Sequence, residues 1–158
     1  MNWDAIGAIG EVVGALAVVV SLIYVATQIK QNTSATRRQT HQELSDSTLS
    51  LNQSISSDPK VAELLTRSKA DYDSLSDSEK TQLFFLFINY FNMWDSAHSN
   101  RLDGLLGDNG WRVWNQGMTF ILSEYGSARE IWNVAKEKQI YNAQFERHVD
   151  TVLENIGV

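Results

Sequence analysis

An apolar segment from Ala5 to Thr27 constrains the fold of this chain more than any other feature. The segment carries one acid, Glu11, and no other charged residue lies between Glu11 and Lys30. A helix of this length spans roughly 34 Å at about 1.5 Å per residue, which matches a bilayer hydrocarbon core of about 30 Å. The sequence therefore predicts a transmembrane helix within residues 1–29.

The residues on either side of this segment predict its orientation. A cleaved signal peptide is one alternative and a soluble core hairpin is another, but residues 1–4 contain no Lys or Arg, which a signal peptide places before its apolar core. Lys30, Arg37 and Arg38 follow the segment without an intervening acid. The positive-inside bias then puts the N-terminus outside and the C-terminal side in the cytoplasm, with these three cations at the lipid headgroups.

A stripe of small and polar residues runs along the predicted span. Its members follow one another in steps of three and four, which places them on one side of a helix. They are Gly7, Gly10, Gly14, Ala17, Ser21, Tyr24 and Gln28. Gly10 and Gly14 form a small-x-x-x-small motif that lets two backbones approach closely. The alternative is that Gly and Ala are simply common in membrane helices. We expect the first six members of the stripe to form an oligomer interface.

Glu11 lies at the edge of this stripe, about 60° around the helix from Gly14. A carboxylate in hydrocarbon costs at least about 2.5 kcal/mol, so such residues face a bundle interior or a watery cavity. Two outcomes stay open. Glu11, with Ser21 and Gln28, hydrogen-bonds between helices in a tight bundle, or several copies of Glu11 form an acidic ring along a cation pathway. A ring requires at least about four or five subunits.

The composition restricts the remaining possibilities. The chain has 158 residues, a formal charge of −6, one proline and no cysteine. The acidic excess lies after Arg38, so we expect no nucleic-acid partner. The absence of cysteine excludes a disulfide framework and a thiolate metal site. Few helix breakers occur outside the apolar segment and a stretch from Gly104 to Gly126, which favours an all-α fold.

Residues 30–57 predict a helical stalk, because neither proline nor glycine interrupts residues 31–57. An apolar stripe at three- and four-residue spacing supports a helix there. It consists of Leu44, Thr48, Leu51 and Ile55. A flexible linker is the alternative, since the rest of this segment is rich in Gln, Asn, Ser and Thr.

Residues 58–158 predict a small cytoplasmic bundle of four or five helices. Helix starts are expected at Asp58-Pro59 and at two capping boxes, Ser76 to Glu79 and Ser127 to Glu130. The densest apolar run, residues 83–94, predicts the central helix, with a re-entrant or membrane-surface segment as the alternative. After a turn-rich connection over residues 101–110, further helices are expected over residues 111–124 and 141–156.

Catalytic and metal-binding signatures are weak in this sequence. His41, His98 and His148 lack a repeated ligand spacing, and Asp95-x-x-His98 forms half of a di-metal motif without a second copy. A helix-surface pair is the simpler interpretation of Asp95 and His98. No phosphate-binding loop or nucleophile motif occurs, and the tryptophans at 94, 111, 114 and 132 are expected in the core rather than around a ligand. We expect no enzyme activity, cofactor or metal.

The N-terminal segment carries a resemblance. Residues 3–33, WDAIGAIGEVVGALAVVVSLIYVATQIKQNT, resemble the N-terminus of a group of uncharacterised bacterial proteins that is frequent in marine and environmental genomes. A looser likeness extends through the Asp58-Pro59 and Leu75-Ser76 helix starts and the segments around Trp132 and Phe145. The resemblance implies an architecture only, one membrane helix followed by a small helical domain. We predict the bacterial inner membrane as its location. The resemblance implies no activity.

Two functions are consistent with these features. The first is a homo-oligomeric ion (cation) channel or ion-sensing assembly, with four or more subunits in the inner membrane and a ring of Glu11 side chains in the transmembrane bundle. The second is a membrane-anchored scaffold or protein-binding module, in which the helix is only an anchor and an oligomerisation element. In both cases the predicted partners are a second copy of the chain and the lipid bilayer, and a cytoplasmic protein partner is unidentified.

Overall fold

The computed structural model describes residues 3–158, apart from the side chains of residues 5 and 6. Met1 and Asn2, part of the N-terminal flank used above, lie outside the described residues. Six α-helices occur in the described range. They are α1 (Trp3–Ser56), α2 (Pro59–Ala70), α3 (Asp77–Leu102), α4 (Asp108–Glu124), α5 (Gly126–Glu137) and α6 (Ala143–Ile156). The predicted all-α fold with one long apolar N-terminal helix is confirmed.

The chain divides into two compact units, Met1–Gln39 and Thr40–Val158. The first unit contains the apolar segment of α1. The second contains the remainder of α1 and the five later helices, so residues 40–56 are helical rather than a flexible linker. The apolar stripe predicted in this part of α1 is confirmed, because Leu44 and Leu51 are buried and Thr48 and Ile55 are half-buried.

Two helix starts follow local sequence signals. The Asp58 side chain accepts a hydrogen bond from the backbone N–H of Lys60 at 2.9 Å, with Pro59 in the first turn, where its missing N–H costs nothing. At the start of α3, Ser76 and Glu79 form the predicted capping box. Each side chain satisfies a backbone N–H that the helix itself leaves unpaired.

Other predicted boundaries differ from the structure by two or three residues. Ser127 does not cap α5. The helix begins at Gly126 without a side-chain cap, and the buried Ser127 hydroxyl donates to the Ser68 hydroxyl at 3.3 Å. A buried hydroxyl needs an interior partner, and Ser68 supplies it. Helix α4 begins at Asp108 rather than residue 111, α3 continues to Leu102, and α6 begins after Asn142.

The core of the second unit is rich in aromatic side chains. Helix α3 is central, as predicted, and packs against α2, α4 and α5. Its Phe91 lies against Trp132 of α5, with ring centroids 5.1 Å apart, and Trp132 stacks on Tyr141 at 5.5 Å. The expectation that the tryptophans belong to the core is confirmed, since those at 94, 111 and 132 are buried and that at 114 is half-buried. This unit therefore closes its own hydrophobic core.

Candidate functional site

The apolar part of α1 is the first candidate surface. Every residue from 7 to 39 is exposed, and large apolar side chains such as Ile9, Leu16 and Ile23 each retain at least 60% of their surface. Burying such a side chain is worth about 1.5–3 kcal/mol. Exposed apolar patches beyond a few hundred Å² mark membrane or protein contacts. This surface therefore requires a cover other than water.

The small-residue stripe lies open along this surface. A Cβ atom added at Gly7, Gly10 or Gly14 would meet no atom within 4 Å. A glycine in a helix interior costs about 1 kcal/mol relative to alanine, and packing among the described residues offers no compensation at these three positions. The glycines therefore suit a close approach by a partner outside this chain.

The polar members of the stripe make bonds within their own helix. The Ser21 hydroxyl donates to the Ala17 carbonyl at 2.8 Å, and the Gln28 amide donates to the Tyr24 hydroxyl at 3.3 Å. The proton of Ser21 is thus occupied, while its oxygen keeps free acceptor positions. Of the residues predicted to line an ion pathway, Ser21 and Gln28 therefore each make one side-chain hydrogen bond without a second chain.

Glu11 differs from these residues because it makes no hydrogen bond or ion pair with any described part of the chain. Its side chain is exposed at the edge of the stripe. Lys30, Arg37 and Arg38 are also exposed, and none of them forms an ion pair among residues 3–158. The acid and the three cations are thus available to partners outside this chain.

A second cluster lies entirely within the second unit. The imidazole rings of His98 on α3 and His148 on α6 stack with centroids 5.1 Å apart and planes inclined by 21°. Trp111 of α4 contacts both rings, at 5.5 Å from His98 and 5.0 Å from His148. Nε2 of His148 and Oδ1 of Asn115 are 2.7 Å apart. Sequence spacing did not predict this pairing, because the two histidines are far apart in the chain.

The histidine pair borders an open cleft of about 300 Å³. Its lining residues are His98, Leu102, Gln144, Arg147, His148 and Thr151. Burial lowers the pKa of the His98 imidazole, and the nearby Arg101 guanidinium lowers it further, against an opposing effect of Asp95. Burial also lowers the pKa of His148, with His98 and Arg101 acting in the same direction. Both rings are therefore held toward the neutral form.

Asp95 and His98 interact electrostatically, as the helix-surface pair implies, but no hydrogen bond joins them. The Asp95 carboxylate accepts a hydrogen bond from the Asn142 side-chain amide at 2.9 Å. Burial raises the pKa of Asp95, while the Asn142 bond opposes that rise. Among the described residues, no group of three or more His, Asp or Glu side chains is placed to hold a metal ion.

A larger groove of about 650 Å³ lies between α1 and α3 within the second unit. It is lined by Asp46, Ser47, Ser50, Leu51, Ser54, Asn89, Asn92 and Met93. The hydroxyls of Ser47 and Ser54 donate to carbonyls of their own helix. Asn92 accepts a hydrogen bond from Tyr141 at 3.0 Å. A serine nucleophile needs a neighbouring base, and the lining residues include no histidine or lysine to act as one.

Comparison with known proteins adds no family to these observations. The chain matches no protein-family model, no curated protein and no solved structure. By length and composition, one helix in the described range, α1, could cross a membrane, and its most apolar window is fully exposed. The function is therefore inferred from the exposed apolar part of α1 and from the packing of the second unit.

Proposed function

We propose that this chain is a single-span, homo-oligomeric membrane protein that tethers a helical scaffold or protein-binding domain to the cytoplasmic face of the bacterial inner membrane. One observation carries the proposal. The apolar residues 7–29 are exposed throughout, whereas the second unit buries most of its apolar side chains in a core of its own and leaves a few, such as Phe85, Val113 and Phe120, exposed. A bilayer covers an isolated apolar helix of this length, because every backbone group of the helix is already bonded internally.

The flanking charges support the proposed orientation. Lys30, Arg37 and Arg38 follow the apolar part of α1, and Asp4 is the only charged side chain before it in the described residues. Cationic side chains near the end of a span favour the cytoplasmic side. Each is worth about 1 kcal/mol at an anionic headgroup layer. Because the chain has no cysteine, single cysteines at Asp4 and Ser57 can test this orientation with a membrane-impermeant thiol reagent.

The small-residue stripe supports self-association. In lipid, helices associate by close packing and hydrogen bonding, since the surrounding acyl chains are as apolar as the helix itself. The open surface at Gly10 and Gly14 allows a second backbone to approach, and Glu11 at the edge would find its hydrogen-bond partner on that second copy.

A matched pair of substitutions tests the oligomer. Ala17 lies on the stripe, and Ala26 lies nine residues further on, half a turn around a helix of about 3.6 residues per turn. We expect Ala17→Leu to weaken self-association about tenfold or more in mild detergent, and Ala26→Leu to leave it unchanged. Native mass spectrometry gives the subunit number of each. A monomeric wild-type chain, or equal effects of the two variants, would overturn the proposed interface.

A cation pathway is the second candidate, and it is favoured by the carboxylate of Glu11, which has no partner among the residues that the structure describes. Copies of Glu11 around an axis would form an acidic ring that attracts cations. One helix per chain can enclose a pore only with at least about four or five copies, so a dimer would exclude this candidate and favour the tether.

In liposomes, Glu11→Gln should abolish cation flux while Asp4→Asn preserves it. Equal flux in both variants would contradict a pathway through Glu11.

A further inference from the structure

The stacked histidines join three helices of the second unit at one point. His98 belongs to α3, His148 to α6 and Trp111 to α4, and each of the three rings contacts the other two. Phe145, one turn before His148, also contacts the His98 ring at 5.8 Å. The attachment of α6 at this junction therefore depends on two rings that each can take up a proton.

The hydrogen bonds of the pair leave little room for an added proton. Oδ1 of Asn115 only accepts, so Nε2 of His148 is the donor at 2.7 Å and a further proton must bind at Nδ1. His98 is 8% exposed, and its Nδ1 is buried without a hydrogen-bond partner among the described residues. A proton on this nitrogen would be a buried donor with nothing to accept it.

The charged side chains around His98 and His148 disfavour protonation of both imidazoles. Helix α3 contributes Asp95 and Arg101, α6 contributes Arg147 at the cleft, and α4 contributes Asp108, which lies 3.6 Å from Arg101. Asp95 is already hydrogen-bonded to the Asn142 amide. Helix α1 contributes Leu44, which is uncharged and packs in the apolar cluster that contains Trp111. Two protonated imidazoles would thus add positive charge next to two guanidinium groups.

We propose that the His98–His148 stack is an acid-sensitive latch, which holds α6 to α3 and α4 while both imidazoles are neutral and opens this junction when they are protonated. The closed state excludes water from the Trp111 side of the stack. The open state widens the cleft lined by Gln144 and Arg147, which is already open to solvent at its mouth in the closed state. The latch lies wholly in the second unit, so it does not depend on the membrane assignment of α1.

The direction of the pH effect follows from the two imidazoles. Burial lowers the pKa of each ring in the folded chain below its unfolded value of about 6.5. A group with a lowered cationic pKa binds more protons in the open state, so acid favours opening. The latch is fully closed above about pH 6.5 and weakens as the pH falls below that value.

Hydrogen exchange of the full chain in detergent micelles tests the latch. After correction for the intrinsic exchange rate, we expect amides of α6 to open about tenfold more often at about pH 5.0 than at about pH 7.5. His148→Gln keeps a donor for Asn115 and removes the titrating ring, so its α6 should show a much smaller pH response. His41→Gln is the matched control, because His41 is exposed on α1 and its ring, among the described residues, hydrogen-bonds to Ser45 of the same helix.

A second measurement keeps the test decisive if His148→Gln fails to fold. Imidazole resonances of the wild-type chain should titrate below about pH 6.5 for His98 and His148, together with the loss of α6 protection. The proposal is overturned if either ring titrates at or above that value, or if α6 protection does not change with pH. It is equally overturned if folded His148→Gln retains the full wild-type response.

Discussion

Residues 7–29 and residues 40–56 belong to the same helix, yet the more apolar of the two segments is the more exposed one. The first segment is almost entirely apolar and fully exposed, whereas the second is mostly polar and buries Thr40, Leu44 and Leu51. In water the hydrophobic effect produces the reverse relation, with apolar surface removed from solvent first. The proposed membrane anchor accounts for this contrast, because a bilayer would cover the first segment while the second packs in its own unit.

The largest expected effect comes from a charge placed in the apolar segment. Val19→Arg should disfavour membrane insertion by about 3 kcal/mol, because an arginine near the centre of a span must be drawn out of water. Alkaline extraction of membranes from expressing cells measures the retained fraction. Thr33→Arg is the control, since Thr33 is exposed in the polar continuation of α1. Equal retention of both variants would mean that the apolar segment does not lie in lipid.

The next effect distinguishes the two segments by their contacts within the chain. Leu44 is 5% exposed and packs with Ala97, Leu106 and Trp111, so Leu44→Ala should destabilise the second unit by about 2 kcal/mol. Leu16 is 60% exposed, and Leu16→Ala should leave the stability of that unit unchanged. Thermal unfolding followed by near-UV circular dichroism in detergent measures both. A large loss with Leu16→Ala would show that the apolar segment packs on the domain.

The same comparison explains how much of the fold can be predicted from the sequence. The starts at Asp58-Pro59 and Ser76 depend on bonds between residues within three positions of each other, so composition and spacing suffice to predict them. The capping box expected at Ser127 has the same local pattern. It is wrong because Ser68, 59 positions earlier, lies next to the Ser127 hydroxyl in the fold. Local patterns cannot predict such a contact.

The candidate site shows the same limit. His148 lies three residues after Phe145 and four before Val152, so helical spacing alone could have placed it on the buried face of α6. The stacking of His148 on His98 depends on how α6 packs against α3, which spacing does not determine. The hydrogen-bond partner of Glu11 is harder still to predict, because in the proposed oligomer it belongs to another copy of the chain.

A smaller effect on stability is expected at the start of α6, in the second unit. The Asn142 side chain accepts hydrogen bonds from the backbone N–H groups of Gln144 and Phe145, both at 3.0 Å, and donates to Asp95. Asn142→Ala should cost about 1 kcal/mol of unfolding free energy, because the cap is lost. Asn142→Ser keeps a capping oxygen and should recover most of that loss. Equal destabilisation by the two variants would assign the effect to the Asp95 bond instead.

The smallest effect is expected from the surface carboxylate at the start of α3. The Ser76 backbone N–H, its hydroxyl and the Arg67 guanidinium lower the pKa of Glu79 from 4.5 to about 2. Stability from this group is therefore fully present above pH 4.5 and is lost as the pH falls toward about 2. The stabilisation should be small, because solvent screens a carboxylate that is partly exposed at the surface.

Acid unfolding of the full chain in detergent separates this carboxylate from the histidines. Glu79→Gln should flatten the loss of stability below pH 4.5, whereas Glu63→Gln, at an exposed position without a hydrogen bond among the described residues, should not. The histidine response begins as the pH falls below about 6.5 and should be the same in both variants. The helical signal of residues 3–39 should persist through both transitions, because a detergent-covered apolar helix has no tertiary core to lose. If that signal disappeared together with the core of the second unit, the two segments of α1 would form one cooperative structure, and the contrast between them would no longer support a membrane anchor.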